Sequence, residues 1–261
     1  LLLGAAGIGK THLLCDVAEM SLKNNLPTLL ILGQQLTTIR NPWEAIIGQL
    51  GLNLIPSQFL QRLNSIAIRR KKRVLILIDA INEGERRGWK RGITNFLKEV
   101  EKYPSIAVVL TCRIPFDKVT VPKKLNIVRE YHYGFAEHEL DALKIYTNYY
   151  KLPLPEIPLL TPEFSNPLFV KLFCESLEKA VVKKQHKQIN EISSGQRGMT
   201  NIIEDFVIAK SAKIAKQFTG CAPKMIWELI KEDIASTMAS NKRNWINLSE
   251  IKAIILSRLQ K

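Results

Sequence analysis

The residues with the most specific chemistry lie near the amino end of the sequence, in a glycine-rich run that ends in Lys10 and Thr11. The run matches the pattern G-x-x-x-x-G-K-[ST], which predicts a loop that wraps a polyphosphate. Its glycines allow a tight turn that aims backbone N–H groups at phosphate oxygens. The Lys10 ammonium is predicted to reach the β- and γ-phosphates, and the Thr11 hydroxyl to ligate Mg²⁺. The predicted phosphate-binding residues are Gly4, Ala5, Ala6, Gly7, Ile8, Gly9, Lys10, Thr11 and, through its backbone N–H, His12.

Two carboxylates after a second apolar run are the candidates for metal binding and for hydrolysis. Residues 74–78 are all apolar and are followed directly by Asp79. A buried parallel strand that ends there places Asp79 at the carboxyl edge of the sheet, where it can hold Mg²⁺ directly or through water. Glu83, beside Asn82, is the candidate general base that orients and deprotonates the attacking water. The alternative is that Glu83 is an ordinary acid of a surface loop.

Arg113 is the third candidate catalytic residue. It follows Thr111 and Cys112 at the end of another apolar run, so it is predicted at the same edge of the sheet. Its planar guanidinium suits a phosphate, and we expect Arg113 to contact the γ-phosphate and report its presence. The alternative is an ordinary surface arginine, because charged residues at strand ends are common.

The elements that must position these groups alternate between strands and helices up to about residue 134. Such alternation predicts an α/β fold, with a parallel sheet covered by helices on both faces. One strand, 28–32, intervenes between the cradle and Asp79, which indicates the ASCE type of P-loop NTPase, in which a nearby acid activates water. The predicted strands are 1–3, 28–32, 74–78, 106–111 and 127–133, and the predicted helices are 10–23, 42–49, 58–69 and 89–103.

After residue 134 the patterns are helical. We therefore predict a nucleotide-binding domain at 1–134, a helical domain at 135–198 and a further domain at 199–261. A proline-rich connector at 153–162 and a polar, exposed loop at 183–197 separate some of the helices. The predicted helices are 136–150, 168–184, 200–217, 223–240 and 249–260.

The chain is strongly basic, with a net charge of +14 from 38 Lys and Arg against 24 Asp and Glu. One interpretation is a surface for nucleic acid. The other is a solvated basic exterior of a fragment whose acidic remainder is missing. The charge is concentrated in two runs, 69–73 and 86–91, that flank the strand predicted at 74–78. Because charge bears on association and not on fold, both interpretations stay open.

Composition also predicts the compartment. No apolar run approaches the roughly 20 residues that cross a bilayer, so no membrane partner is expected. Four widely spaced cysteines and four histidines without ligand spacing suggest neither a disulfide framework nor a zinc site, and a cytoplasmic protein is expected. The opening run of three leucines reads as the tail of a buried strand, which suggests a piece of a larger protein.

These motifs together resemble those of STAND NTPases, the signal-transduction class that includes NACHT domains. Asp79, followed by the small residue Ala80 and shortly afterwards by an acid, is similar to the second motif of bacterial antiviral STAND proteins. The resemblance covers about residues 1–180. Further similar segments are 32–35 and 41–43, the sensor Thr111-Cys112-Arg113, Tyr133-Gly134-Phe135 with Glu137 and Glu139, and Asn166-Pro167-Leu168-Phe169.

The resemblance implies several roles for residues of the site. It implies that Pro167, in the helical domain, packs near an adenine, and that a winged-helix domain closes the module at 199–261. It implies ATP and ADP as ligands, together with Mg²⁺, whereas the cradle alone does not distinguish ATP from GTP. Asn82 stands where many NACHT domains have an acid, which leaves Glu83 as the sole nearby base.

The resemblance further implies a molecular switch in anti-phage defence. ATP with Mg²⁺ would favour an open, oligomerising arrangement, and ADP a closed one. In such proteins an effector, often a nuclease, precedes the NTPase, and a repeat array after it recognises a phage protein. The expected partners are therefore nucleotide, further copies of the chain and a trigger protein.

Two other classes of function stay open from the sequence. An AAA+ type motor or loader acting on nucleic acid shares the cradle and Asp79, and the net charge favours it. Such motors usually need a second arginine in the helical lid, for which Arg197 is the candidate, although it lies in the predicted exposed loop. The third class is a scaffold that binds nucleotide without hydrolysing it. The presence of both Asp79 and Glu83 favours hydrolysis.

Overall fold

The computed structural model of the 261-residue chain describes residues 1–36, 40–154, 162–182, 199–216, 222–241 and 246–259. Arg197, most of the predicted connector and the polar loop at 183–197 lie outside these ranges. The chain forms two compact units, the first comprising Leu1–Ala142 with Pro162–Leu168, and the second Leu143–Thr161 with Phe169–Lys261. All the predicted site residues belong to the first unit.

The first unit is built on a parallel sheet with the strand order β2-β3-β4-β1-β5. This order is that of the ASCE type of P-loop fold, as predicted. The strand inserted in space between β1 and β3 is β4, whereas the strand that intervenes in the sequence, β2, lies at the edge. The strands are β1 (Leu2–Gly4), β2 (Thr28–Leu32), β3 (Val74–Asp79), β4 (Ile106–Arg113) and β5 (Glu130–Tyr131).

A capping side chain and two prolines set where helices of the first unit begin. The α2 helix is capped by Asn41, whose side chain accepts a hydrogen bond from the Trp43 N–H at 3.0 Å. Proline occupies the first position of both α2 and α3, where its missing N–H costs nothing. The helices are α1 (Lys10–Lys23), α2 (Pro42–Gln49), α3 (Pro56–Arg70), α4 (Arg86–Glu101) and α5 (Asp117–Thr120), and α6 (Glu139–Tyr149) begins in this unit.

The core lies on both faces of the sheet, as the alternation along β3 shows. Alternate residues of β3 point to opposite faces, and the strand is apolar on both. Val74, Ile76 and Ile78 pack in the larger cluster, which contains the buried aromatic rings of α2 and α4. Leu77 packs with residues of α1 in the smaller cluster. A strand covered on both faces is held firmly, so the residue at its carboxyl end, Asp79, is held with it.

The described part of the second unit is helical. The α7 helix (Pro167–Val182) begins in the first unit and buries one apolar face within the second. It is followed by α8 (Met199–Ala215), α9 (Pro223–Glu228), a π-helical segment (Leu229–Ile234), α10 (Ala235–Ser240) and α11 (Leu248–Leu259). The described residues from 199 onwards contain no strand, and the winged-helix domain stays a prediction.

Element boundaries are close to those predicted, with one clear difference. The final strand, predicted at 127–133, is only Glu130–Tyr131. Pairing sets this length, because β5 has the short strand β1 as its partner and lies at the edge of the sheet. Among the described helices, none combines the length and the apolar composition needed to cross a bilayer.

Candidate functional site

The loop between β1 and α1 has the conformation that its glycines permit. Gly7 and Gly9 have φ angles of 73° and 98°, a region that residues with side chains rarely adopt. The α1 helix begins at Lys10, directly after the loop, so its first backbone N–H groups and the positive end of its dipole face the same space. Residues 4–11 therefore form a glycine-rich turn at the carboxyl edge of the sheet whose geometry suits an anion.

Lys10 is held against this loop by two of its carbonyl oxygens. Its ammonium donates hydrogen bonds to the carbonyls of Gly4 at 2.9 Å and Ala5 at 2.8 Å. Burial lowers the pKa of Lys10, the positive charge of Arg113 lowers it further, and the Asp79 carboxylate opposes both. Two cations thus lie near one another in a partly desolvated place, and a polyanion bound there would stabilise both.

Asp79 and Thr11, the two predicted metal ligands, are in direct contact. The Thr11 hydroxyl donates to Asp79 Oδ2 at 2.8 Å, and the carboxylate is 5% exposed. Both groups offer oxygen atoms beside the phosphate-binding loop, which is the donor chemistry that Mg²⁺ prefers. The residues present therefore fit a magnesium ion between this pair and a bound triphosphate.

Thr111, near the end of β4, was named within the sensor segment, but the sequence analysis assigned no role to its hydroxyl. Its fully buried hydroxyl donates to Asp79 Oδ1 at 2.6 Å and accepts from the Ala80 N–H at 2.7 Å. With Thr11 on the other oxygen, Thr111 fixes the orientation of the carboxylate. A polar residue that ends an apolar strand next to β3 was the signal that could have identified it.

We predict that replacing Thr111 with valine raises the Mg²⁺ concentration needed for half-maximal nucleotide turnover by about tenfold. Valine keeps the shape but removes the hydroxyl that orients Asp79, and losing such an outer-shell partner typically costs about 10–100-fold in metal affinity. Magnesium titrations of wild type, Thr111→Val and the control Thr111→Ser would measure the effect. Equal requirements in all three proteins would show that the hydroxyl has no orienting role.

Glu83 and Arg113, the two remaining catalytic candidates, form an ion pair. The guanidinium of Arg113 lies 2.5 Å from Glu83 Oε1, with the side chains 43% and 28% exposed respectively. The Asn82 side chain accepts a hydrogen bond from the Arg113 N–H at 2.8 Å, and this contact joins the loop after β3 to the end of β4. Neither Glu83 nor Arg113 is therefore a free surface charge, because each is held by the other beside the Lys10 loop.

The Asn82 side chain has a structural role that explains its residue type. It is 1% exposed, and its amide oxygen accepts from Arg113 while its backbone carbonyl accepts from Arg86 Nε at 2.6 Å. A neutral amide accepts such a bond without placing a second charge beside Glu83. Glu83 is the first carboxylate after Asp79 in this loop, and Glu85 follows directly before α4.

The segment around Pro167 contacts the phosphate-binding loop directly. The Asn166 side-chain amide donates to the carbonyl of Ala6 at 3.1 Å, and the Leu168 N–H donates to the carbonyl of Gly7 at 3.2 Å. A Cβ atom on Gly9 would lie 3.7 Å from the Pro167 ring. The predicted position of Pro167 beside the nucleotide site is compatible with this geometry, and Asn166 is an additional contact that the sequence analysis did not assign.

Two histidines near the loop differ in their placement. The His12 side chain is exposed, which leaves its backbone N–H as the group predicted to contact phosphate. His132, which follows β5, lies closer, with its Nε2 atom 3.4 Å from the place where a Gly9 Cβ would be. Burial, and secondarily the charge of Lys10, lower the pKa of His132, so its neutral form is favoured beside the loop.

Comparison with known proteins finds similar folds at low sequence identity. DnaA from Aquifex aeolicus, bound to AMPPCP, is 15% identical with a TM-score of 0.47, covering 73% of this chain and 59% of DnaA. Cdc6p from Pyrobaculum aerophilum is 15% identical with a TM-score of 0.46, covering 97% of this chain and 71% of that one. Drosophila ORC bound to DNA is 17% identical with a TM-score of 0.44, covering 100% and 75%. No protein-family model and no curated protein matches the sequence.

The chain thus spans less than two thirds of the DnaA structure, and no functional conclusion follows from likenesses at these identities and TM-scores. Its class follows from its own geometry. The strand order, the glycine-rich loop and the carboxylate at the end of β3 define a P-loop fold of the ASCE type.

Proposed function

We propose that this chain binds and hydrolyses ATP and uses the nucleotide as a switch. The observation that supports the proposal is that the predicted groups gather at one edge of the sheet. Lys10 lies on the loop, the Thr11 hydroxyl is bonded to Asp79, and Glu83 is paired with Arg113. Phosphate binding, metal binding, a base and a phosphate sensor are the parts that phosphoryl transfer to water requires.

The roles of the residues follow from their chemistry. The loop N–H groups and the Lys10 ammonium bind the β- and γ-phosphates, while Thr11 and Asp79 hold Mg²⁺. When bound, Mg²⁺ neutralises charge that develops on the phosphate oxygens. Glu83 orients a water molecule and accepts its proton. These contributions are electrostatic and positional, and they favour attack by a water molecule in line with the γ-phosphorus and the leaving oxygen.

The Glu83–Arg113 pair is the element that links this chemistry to a switch. A γ-phosphate that attracts the Arg113 guanidinium competes with Glu83 for it, because the Glu83 contact is a single, partly exposed ion pair and the phosphate carries the greater negative charge. Binding of ATP would therefore release Glu83 towards water, whereas ADP lacks the group that competes. The two nucleotides thus have different interaction energies with the two arrangements, as a switch requires.

The contacts of Asn166 and Leu168 with the loop support a mechanical output. Their partners are the carbonyls of Ala6 and Gly7. If the loop moves when it binds phosphate, these two hydrogen bonds would shift the segment with which α7 begins. This segment leads into the helical unit. The proposed output is an open arrangement with ATP and a closed one with ADP.

The test is the discrimination between triphosphate and diphosphate. We expect wild type to bind a non-hydrolysable ATP analogue and ADP with different affinities. In Arg113→Ala the preference for the triphosphate should fall by about tenfold. A charge-assisted hydrogen bond contributes about 1.5–3 kcal/mol, and the loss of the contact with Glu83 offsets part of this. Calorimetry on both proteins, with the exposed Arg129→Ala as control, would measure it. An unchanged preference in Arg113→Ala would remove the sensor role.

At a finer level, we propose a STAND-like switch in anti-phage defence. Its support is the resemblance of Asp79-Ala80 and Asn166-Pro167 to motifs of STAND proteins. The contact of the Asn166 side chain with the phosphate-binding loop also supports it. The proposal includes self-association on activation and a trigger protein. The oligomeric state of the intact protein with ATP, with ADP and with trigger would test it, and three equal states would count against it.

The second candidate is an AAA+ type ATPase that acts on nucleic acid. The observation that favours it is the net charge of +14. Turnover that nucleic acid stimulates, with a steep salt dependence, would favour this candidate over the first.

A further inference from the structure

A groove beside α4, which shares no lining residue with the predicted nucleotide site, contains a row of cations. Arg91, Asn95, Lys98 and Lys102 line it, at the spacing that puts residues on one face of a helix. Arg40, just before α2, also lines the groove. The groove has a volume of about 730 Å³ and is formed within the first unit.

The charges of the groove are mostly available for a ligand. Among the described residues, Arg40 and Lys98 are exposed and have no carboxylate partner. Arg91 makes a long contact of 3.4 Å with Glu85 while its side chain stays 70% exposed. Lys102 is paired with Glu99, and both Glu99 and the exposed Glu44 line the groove, so that its four cations outnumber its two carboxylates. Exposed pairs of this kind contribute little, so a stronger anion can displace them.

The shape of the row indicates the kind of anion. From Arg91 to Lys102 the helix rises about 16 Å, at about 1.5 Å per residue, which is the length of several phosphates along a strand. The N-terminal ends of α2 and α3 also line the groove, and their dipoles add positive potential to that of the side chains. A linear row of cations in a concave surface matches a chain-like polyanion.

The floor of the groove excludes recognition through stacked bases. Its two aromatic residues, Trp43 and Phe96, are each 1% exposed and stack on one another with ring centroids 4.3 Å apart. They are committed to the core, so they offer no face to a base. A ligand held here is held by its phosphates and not by its sequence.

We infer that this groove binds the phosphate backbone of nucleic acid without regard to sequence. The inference rests on the second proposed function and supplies its contact surface. The α4 helix that presents the cations begins at Arg86, directly after the loop that contains Glu83. Arg86 itself is bonded to the carbonyl of Asn82, so the binding helix is anchored on the catalytic loop.

The test measures binding without nucleotide, so that its failure is separate from a failure of ATP hydrolysis. Fluorescence anisotropy would follow the full chain titrated into a labelled mixed-sequence duplex, and into a single strand of the same length, at low and moderate salt. The variant is Arg91→Glu with Lys98→Glu. The control is Arg70→Glu with Lys123→Glu, two exposed cations outside the groove whose reversal changes the net charge equally.

We expect the groove variant to bind about 10- to 100-fold more weakly than wild type, and the control to change by less than about threefold. The slope of log affinity against log salt should fall by about 2 in the variant, because each lost phosphate contact on a duplex contributes about 0.9. Thermal unfolding would verify the fold, and Arg91→Gln with Lys98→Gln replaces the first variant if it does not fold. Equal losses in the groove and control variants, or no binding by wild type at low salt, would overturn the inference.

Discussion

Replacing Lys10 with alanine should weaken the affinity of the chain for a fluorescent ATP analogue by about 100-fold. The Lys10 ammonium lies 2.9 Å and 2.8 Å from two carbonyls of the phosphate-binding loop, at the place where the β- and γ-phosphates are expected. Hydrogen bonds to charged groups contribute about 1.5–3 kcal/mol each, and about 1.4 kcal/mol is a factor of ten. Two such bonds, to two phosphates, account for the expected loss.

The control for this prediction is Lys23→Ala, at the other end of the same helix. Lys23 is exposed and paired with Glu19 at 2.6 Å, so its removal changes the net charge equally without touching the loop. Fluorescence titration of the three proteins would separate a local effect from a general electrostatic one. Undiminished affinity in Lys10→Ala would contradict the whole assignment of the cradle.

Replacing Glu83 with glutamine should lower the rate of ATP hydrolysis by about 10²- to 10⁴-fold while ATP binding persists. General-base catalysis contributes about this much, and glutamine cannot accept the proton of the attacking water. Glutamine also removes the ion pair with Arg113, which frees the guanidinium for the γ-phosphate. The affinity for ATP should therefore stay the same or increase, although the hydrolysis rate falls.

Single-turnover hydrolysis and equilibrium binding, measured on the same preparations, would test that separation. Glu101→Gln is a suitable control, because Glu101 is an exposed acid at the end of α4. A hydrolysis rate in Glu83→Gln equal to that of wild type would exclude Glu83 as the base. A parallel loss of both binding and hydrolysis would instead indicate that the residue supports the loop.

The parts of the site that lie within one local motif could be predicted from the sequence. The glycine-rich loop is predicted from its residue pattern alone, and the structure has left-handed backbone at two of its glycines, Gly7 and Gly9. Asp79 follows an apolar run whose burial on both faces fixes its position at the sheet edge. Arg113 follows a similar run on the neighbouring strand. In each case a short segment contains both the element and the group that it positions.

The parts that depend on contacts between distant segments could not be predicted. The Thr111 hydroxyl donates to Asp79, 32 residues away in the sequence. The Arg113 N–H donates to the Asn82 side chain, 31 residues away. Asn166 meets Ala6 across a separation of 160 residues. A polar residue at the end of an apolar run marks Thr111 as a candidate, but the partners in these pairs follow from the strand order and not from periodicity or spacing. The expectation about the intervening strand shows the same limit, since β2 intervenes in sequence whereas β4 intervenes in the sheet.

The strand order has a consequence for the route by which the chain acquires its structure. The two neighbours of β1 are β4 and β5, so the registers of Leu2 are with Thr111 and Glu130. Loop-closure entropy must be spent before such distant pairings form, which makes them late and slow. During synthesis the ribosome has released the phosphate-binding segment long before either partner emerges. The phosphate-binding segment is therefore synthesised before both of its partner strands and is among the last to pair, whereas β3 and β4 pair across a much shorter loop, with Val74 opposite Ile106.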